Sequence, residues 1–311
     1  MKKLIIVTVI IMLASCATVK QKSGPSEGGA APAAGNNSVS LAEGQTTRPE
    51  PNLYVTDMQE DQDPLILATL WYQKSAEMRA LYYQCFRNAE TALRENLALH
   101  GGRVPAADSP VTRDTAPEEA PKPAAVVLDI DETLLDNSPF QGWQVLEKKS
   151  FNNNDWYRWV ELARARPLPG AVQFTRYADS LGVEVFYVSN RTVKEMGPTI
   201  ENMAEYGFVN ADSTHLLLKE TTSSKVERRA RLEKDFDIIL LVGDNLADLS
   251  GTYEKRGPDY GFEAVDADRR LFGTKYIVLP NPMYGNWLND LLRSAPGSTG
   301  REKLIRLLKT F

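Results

Sequence analysis

The sequence predicts an α/β fold: a parallel-sheet, Rossmann-like core with helices on both faces, carrying a small, mainly helical, aromatic-rich cap. Three observations predict it. Short apolar runs recur between residues 124 and 279 and alternate with segments of helical spacing, which gives a parallel sheet covered on both faces. Three of these runs end in polar clusters, and open parallel sheets gather their chemistry at the carboxyl ends of strands. Between the first two runs lie Phe140, Trp143, Phe151, Trp156, Tyr157 and Trp159. That stretch is too irregular for a strand and too aromatic for a plain linker.

Taken in order, the 311 residues open with Lys2 and Lys3, an apolar stretch from Leu4 to Leu13, and then Ala14-Ser15-Cys16. A basic start, a short apolar core and small residues describe an export signal over residues 1–15. The stretch is short for a membrane-spanning helix. Leu13 to Cys16, LASC, resembles a bacterial lipobox, in which the cysteine becomes the first residue and carries lipid. Ala17 follows rather than aspartate, and by resemblance to Gram-negative sorting this points to the outer membrane. Residues 16–62, rich in Gly, Ala, Ser, Pro, Gln and Asn, read as a flexible tether with little to bury. With Cys16 lipidated, Cys85 is left without a cysteine partner. It sits in a helical pattern and reads as a buried small hydrophobe.

The main domain is predicted over 63–311. Residues 63–100 carry apolar positions at helical spacing, including Leu67, Trp71, Met78, Tyr82 and Leu93, and read as one long helix or two short ones. Residues 101–123, rich in proline, read as a loop. The apolar run Ala124 to Leu128 is the first strand, and the aromatic cap insert spans about 136–168. Pro169-Gly170 opens a helix over 171–181, which Gly182 stops; Val183 to Val188 are the second strand. A helix at 194–206, a strand from His215 to Leu218, a charged helix at 223–235 and a strand from Asp237 to Val242 follow. Lys275 to Leu279 make the fifth strand.

The first strand ends in Asp129-Ile-Asp131-Glu132-Thr133, the second in Ser189-Asn190-Arg191, and the fourth in Gly243-Asp244-Asn245 with Asp248 close behind. Lys225 opens the helix between the third and fourth strands. Each has an ordinary reading alone: aspartates cap helices, Gly-Asp-Asn makes a turn, and lysine is usually a surface charge. Together they place four carboxylates, a hydroxyl and an ammonium at one edge of a parallel sheet. Carboxylates so crowded repel unless a cation or a shared proton compensates. With only His100 and His215 in the chain, a histidine-rich zinc site is excluded. A cysteine-nucleophile phosphatase would need arginine six residues after its cysteine, and Thr91 stands there relative to Cys85. No Walker-type phosphate loop is present. The net charge of -5 and the lack of a long basic run argue against a nucleic-acid polymer as partner.

The ordered motifs SAEMRALYYQ, LDIDETLLDNSPFQGWQ, WYRWV, PGAVQF, FYVSNR, SSKVERR, VGDNLADL and LPNPMYGNW resemble the class C nonspecific acid phosphatases. These are 5'-nucleotidases of the bacterial lipoprotein e type, within the haloacid dehalogenase-like (HAD) superfamily. The resemblance runs through most of residues 65–290. It implies Mg²⁺-dependent hydrolysis of a small phosphomonoester. Asp129 would be the nucleophile, and Asp131 the acid and then the base. Asp131 would need an upward pKa shift for that task, which neighbouring carboxylates would supply. Asp129, the backbone carbonyl of Asp131, and Asp244 would bind the metal, with Asp248 supporting its shell. Ser189, Asn190 and Lys225 would surround the phosphate. Thr133 would steady the nucleophile loop, and Asn190 and Arg191 the second loop. Phe151 and Tyr284 would sandwich a base, which implies nucleoside 5'-monophosphates with broad selectivity. Trp156 and Trp159 read as core.

The chain departs from the family's usual pattern at Ala247, where a second aspartate is common, and at Phe140, where tyrosine is. The competing readings are a surface lipoprotein that binds a ligand without turnover, and a phosphotransferase of the same superfamily. The long N-terminal helix and the aromatic surface would support a homodimer.

Overall fold

A computed structural model of the chain describes residues 65–100, 122–297 and 299–310. The predicted export signal, Cys16 and the tether lie outside these residues, as does most of the predicted loop 101–123. The N-terminal helical segment forms two helices, α1 (Leu65–Lys74) and α2 (Ala76–Leu99). They part at Ser75, whose hydroxyl accepts from the Met78 N–H at 3.1 Å and caps α2. The elements that follow are β1 (Ala124–Leu128), β2 (Leu135–Asp136), α3 (Ser138–Leu146), α4 (Asn153–Val160), β3 (Arg166–Pro167), α5 (Ala171–Ser180) and β4 (Glu184–Thr192). Next come α6 (Met196–Glu205), β5 (Leu216–Lys219), α7 (Val226–Leu232), β6 (Asp237–Gly243) and α8 (Leu246–Leu249). The chain continues through α9 (Phe262–Ala267), β7 (Tyr276–Val278), α10 (Asn286–Ser294) and α11 (Gly300–Leu307).

Five strands form one parallel sheet in the order β5-β4-β1-β6-β7. Every residue of β1 is buried, as a central strand covered on both faces requires. Its side chains alternate between two apolar cores. Ala124, Val126 and Leu128 face one, with Phe86 and Leu93 of α2, Phe174 of α5 and Met203 of α6. Ala125 and Val127 face the other, with Leu232 of α7 and Leu249 of α8. Each such large side chain, fully buried, contributes about 1.5–3 kcal/mol relative to exposure. The chain leaves β1 towards β4 on one side and returns to build β6 on the other, so the strand order reverses beside β1. That switch point opens a crevice at the carboxyl edge, the usual ligand position of such sheets.

The cap excursion starts and ends at a small antiparallel pair, where Leu135 faces Pro167 and Asp136 faces Arg166. Between them, α3, α4 and the loop joining them gather aromatic rings around Phe140 of α3, with centroids at 5.8 Å for Trp143, 5.2 Å for Trp156 and 6.2 Å for Phe151 of the loop.

Three details differ from the sequence reading. The second core strand does not stop at Val188; β4 runs on to Thr192, which pairs with Lys219 beyond a register shift. Ser189, Asn190 and Arg191 therefore lie inside a strand. Cys85 is half-buried rather than buried, its Sγ 3.3 Å from the Val278 carbonyl, and burial raises its thiol pKa. Trp159 packs against the core as expected, whereas Trp156 lines the crevice. Among the described residues no helix is long and apolar enough to cross a membrane.

Candidate active site

Asp129 is the first residue beyond β1, and its N–H continues the ladder to the Val242 carbonyl at 3.0 Å. This places its buried carboxylate at the crevice floor. Lys225, at the start of α7, donates from Nζ to Asp129 Oδ1 and lies 2.7 Å from Asp248 Oδ1. All three side chains are more than nine-tenths buried. Burial, aided by Asp248 and Asp131, pushes the Asp129 carboxyl up to about 7 against the pull of Lys225. Burial alone would lower the Lys225 ammonium, but the two aspartates outweigh it and hold the lysine above its ordinary value.

Asp244 begins the loop after β6. Thr133 locks it to the nucleophile loop: the Asp244 N–H donates to Thr133 Oγ1 at 3.1 Å, and that hydroxyl lies 3.3 Å from Asp244 Oδ1. Asn281 donates to Asp244 Oδ2 at 2.8 Å. Burial, Asp248 and Asp129 raise the Asp244 carboxyl. Asp248 sits in the first turn of α8 and accepts from the Asn245 N–H at 3.0 Å in a capping box. Gly243 permits this approach, because a Cβ there would stand 2.5 Å from Asp248 Cβ and 2.6 Å from its Oδ2.

One carboxylate oxygen from each of Asp129, Asp244 and Asp248 lies within 4.8 Å of the others. Three carboxylates around one lysine leave the cluster short of positive charge, and the donors are all oxygen. That set fits a hard divalent cation and not a soft one. The side chain of Asp131 stands apart from the cluster. Asp131 Oδ1 accepts from Arg191 Nε at 3.0 Å, Arg191 Nη2 at 2.8 Å and Asn137 Nδ2 at 2.8 Å. Its Oδ2 has only longer contacts, 3.3 Å to Arg191 Nε and 3.5 Å to Ser189 Oγ. The resemblance implies only loop support from Arg191 and neighbouring carboxylates around Asp131; the structure instead sets a buried guanidinium against Asp131. Arg191 Nη1 is in turn bound to Thr199 at 3.0 Å.

Ser189 is fully buried and its Oγ accepts from the Arg191 N–H at 3.1 Å. Asn190 is exposed in the crevice, its Oδ1 held by Arg228 Nη2 at 2.7 Å. Arg228 also donates to the Ser189 carbonyl, so it braces both residues from beneath. Arg228, Asn137 and Asn281 lie within the motifs that carry the resemblance, yet no role for them is legible in the sequence. Arg228 falls in the charged helix pattern, and the two asparagines lie in segments without periodicity.

The crevice encloses about 1090 Å³. Asp129, Asp131, Lys225, Asp244 and Asp248 line its floor, and Phe151, Trp156 and Tyr284 its walls. Phe151 is 60% exposed, so its ring has a free face and is not core. Tyr284 is half-buried and its hydroxyl donates to Glu132 Oε2. Burial and then Asp131 hold the Glu132 carboxyl well above its ordinary value.

A family model described as HAD superfamily, subfamily IIIB (acid phosphatase) matches residues 71–287. The class C acid phosphatase from Bacillus anthracis superposes with a TM-score of 0.68 at 35% identity, covering 79% of this chain and 97% of that one. The same protein with tungstate bound gives a TM-score of 0.67 at the same identity and coverage. Acid phosphatase 1 of Solanum lycopersicum is 29% identical over 166 residues, which is 51% of this chain and 57% of that protein. A stem 31 kDa glycoprotein of Glycine max is 27% identical over 164 residues, 51% of this chain and 58% of that protein. The chain thus spans little more than half the length of these two plant relatives. The family match covers most of the chain and contains every carboxylate of the crevice floor. The chain belongs to the acid phosphatases of HAD subfamily IIIB, a family of phosphomonoesterases, in keeping with its class C resemblance.

Proposed function

We propose that this chain hydrolyses phosphate monoesters, preferring nucleoside 5'-monophosphates with loose base selectivity, through an aspartyl-phosphate on Asp129. The observation that carries this reading is the carboxylate cluster around Lys225, beside Asp131, on the floor of an aromatic-walled crevice. In the first step an Asp129 oxygen attacks phosphorus, and the bond from phosphorus to the leaving oxygen breaks. Asp131 delivers a proton to that oxygen. In the second step Asp131 takes a proton from water, whose oxygen attacks phosphorus and releases Asp129 and inorganic phosphate. Asp131 Oδ2 is the oxygen suited to carry the proton, since three short donors occupy Oδ1. Asn190 and Lys225 line the crevice where the phosphate would sit. Ser189, fully buried beside Asp131, would complete the set behind them, and Lys225 offsets charge on Asp129.

Asp129, Asp244 and the backbone carbonyl of Asp131 would hold Mg²⁺, with Asp248 supporting that shell while bound to Lys225. When bound, the cation supplies positive charge against the crowded carboxylates and the phosphate. The tungstate bound by the Bacillus anthracis relative, a tetrahedral oxyanion like phosphate, supports a phosphate-binding floor.

Phe151 and Tyr284 would form the walls between which a base stacks, and stacking tolerates any base. Phe151→Ala should raise KM for adenosine 5'-monophosphate about tenfold relative to glycerol phosphate, on a stacking contribution of about 1–3 kcal/mol. An unchanged ratio sinks the nucleotide preference. A protein that binds without turnover would release no phosphate from either compound. The export signal and Cys16 support a lipid-anchored enzyme at the bacterial outer membrane, where water rather than an intracellular acceptor completes the reaction. Cys16→Ser should then move the protein from the membrane fraction to the soluble one; unchanged membrane association contradicts the anchor.

A further inference from the structure

Glu132 stands among the nucleophile-loop residues yet is absent from the crevice lining. It adopts a left-handed backbone with φ of 55°, uncommon for a residue with a side chain. Its side chain is fully buried. Burying a carboxyl group is costly unless every oxygen finds a partner, and an apolar residue would fill such a space at lower cost. Glu132 is fully partnered. Its Oε1 accepts from the Asn137 N–H at 2.7 Å, and its Oε2 accepts from the Tyr284 hydroxyl. Its backbone carbonyl accepts from the Tyr82 hydroxyl at 2.5 Å.

These partners lead in two directions. Tyr284, on the loop after β7, forms a wall of the crevice. Asn137 donates from Nδ2 to Asp131 Oδ1 at 2.8 Å, and its Oδ1 accepts from Trp159 of the cap at 2.8 Å. One buried carboxyl group therefore fastens both the aromatic wall and the asparagine that holds Asp131. A tyrosine ring pinned at its hydroxyl loses little further freedom when a flat group stacks on it, which favours binding.

We infer that Glu132 is a positioning residue for leaving-group selectivity: it anchors Tyr284 by the hydroxyl, in register with Asp131, so that the ring is presented to a base. This rests on the reading of Tyr284 as a crevice wall that contacts the leaving group.

The test uses the Mg²⁺-loaded enzyme and the ratio of KM for adenosine 5'-monophosphate to KM for glycerol phosphate, which has no ring. Tyr284→Phe keeps the ring and deletes the anchor; it should raise the ratio about fivefold, as expected for one hydrogen bond. Glu132→Gln can accept from the Asn137 N–H and donate to the tyrosine oxygen, so it should hold the ratio within about twofold of wild type. Glu132→Leu removes both links and should match Tyr284→Phe; should it fail to fold, Tyr284→Phe alone carries the test. If Tyr284→Phe leaves the ratio unchanged while Tyr284→Ala raises it, the ring matters and the anchor does not, and the inference fails while the wall stands. If neither variant moves the ratio, the wall reading fails and the inference falls with it.

Discussion

Asp129 and Asp131 lie two positions apart and have different neighbours. Asp129 faces Lys225 and two further carboxylates, whereas Asp131 faces Arg191 and Asn137. The difference has a consequence in pH. The Asp129 carboxyl is held up to about 7 in the folded chain, against about 3.9 when unfolded. The folded state therefore binds the extra proton between those values. Its stabilisation is fully present below about 3.9 and is lost as pH rises through about 7. In EDTA, the melting temperature of Asp129→Asn should gain on wild type as pH rises from about 4 to about 7. A difference independent of pH would contradict the burial argument. Asp129 and Asp244 were legible in the sequence because each directly follows a strand, and Lys225 because it opens a helix; Ser189 was expected at a strand end, yet β4 runs on past it to Thr192. The partner of Asp131 was not legible. Arg191 is aimed at Asp131 only because β4 continues past Ser189, and no periodicity announces that extension. Glu132 was hidden for a similar reason: its direction depends on a positive φ, which a glutamate does not signal.

At the scale of elements, the five core strands were readable as apolar runs, since a strand buried on both faces has little room for polar side chains. The pair β2 and β3 has two residues in each strand, and α8 has four residues. Such pieces are too short to leave a period. Yet α8 carries Asp248, and its approach depends on Gly243. Gly243→Ala would drive a methyl group into Asp248, shifting it from Lys225 and the carboxylate cluster. Activity should fall about tenfold or more, with a higher Mg²⁺ requirement, while circular dichroism stays that of the parent. Wild-type Mg²⁺ dependence in this variant would show that Asp248 needs no such fit.

For the described part of the chain, the sheet order and the site are one argument. Reversal beside β1 brings the ends of β1 and β6 together, so residues 115 positions apart, Asp129 and Asp244, share one cluster. The aromatic cap and the loop after β7 then wall the crevice above them. The class of fold and the carboxylate edge followed from the residue pattern; Phe151 and Tyr284 were expected near the substrate only through the family resemblance, and Trp156, expected in the core, joins the lining through packing between distant segments. The measurement that bears most directly on the whole is phosphate release from adenosine 5'-monophosphate by the form lacking residues 1–16, with Mg²⁺, with EDTA, and in Asp129→Asn. Release should require Mg²⁺ and fall at least a thousandfold, about 4 kcal/mol of transition-state stabilisation, in Asp129→Asn with its circular dichroism unchanged. Undiminished release in EDTA or in the Asp129→Asn enzyme would contradict it.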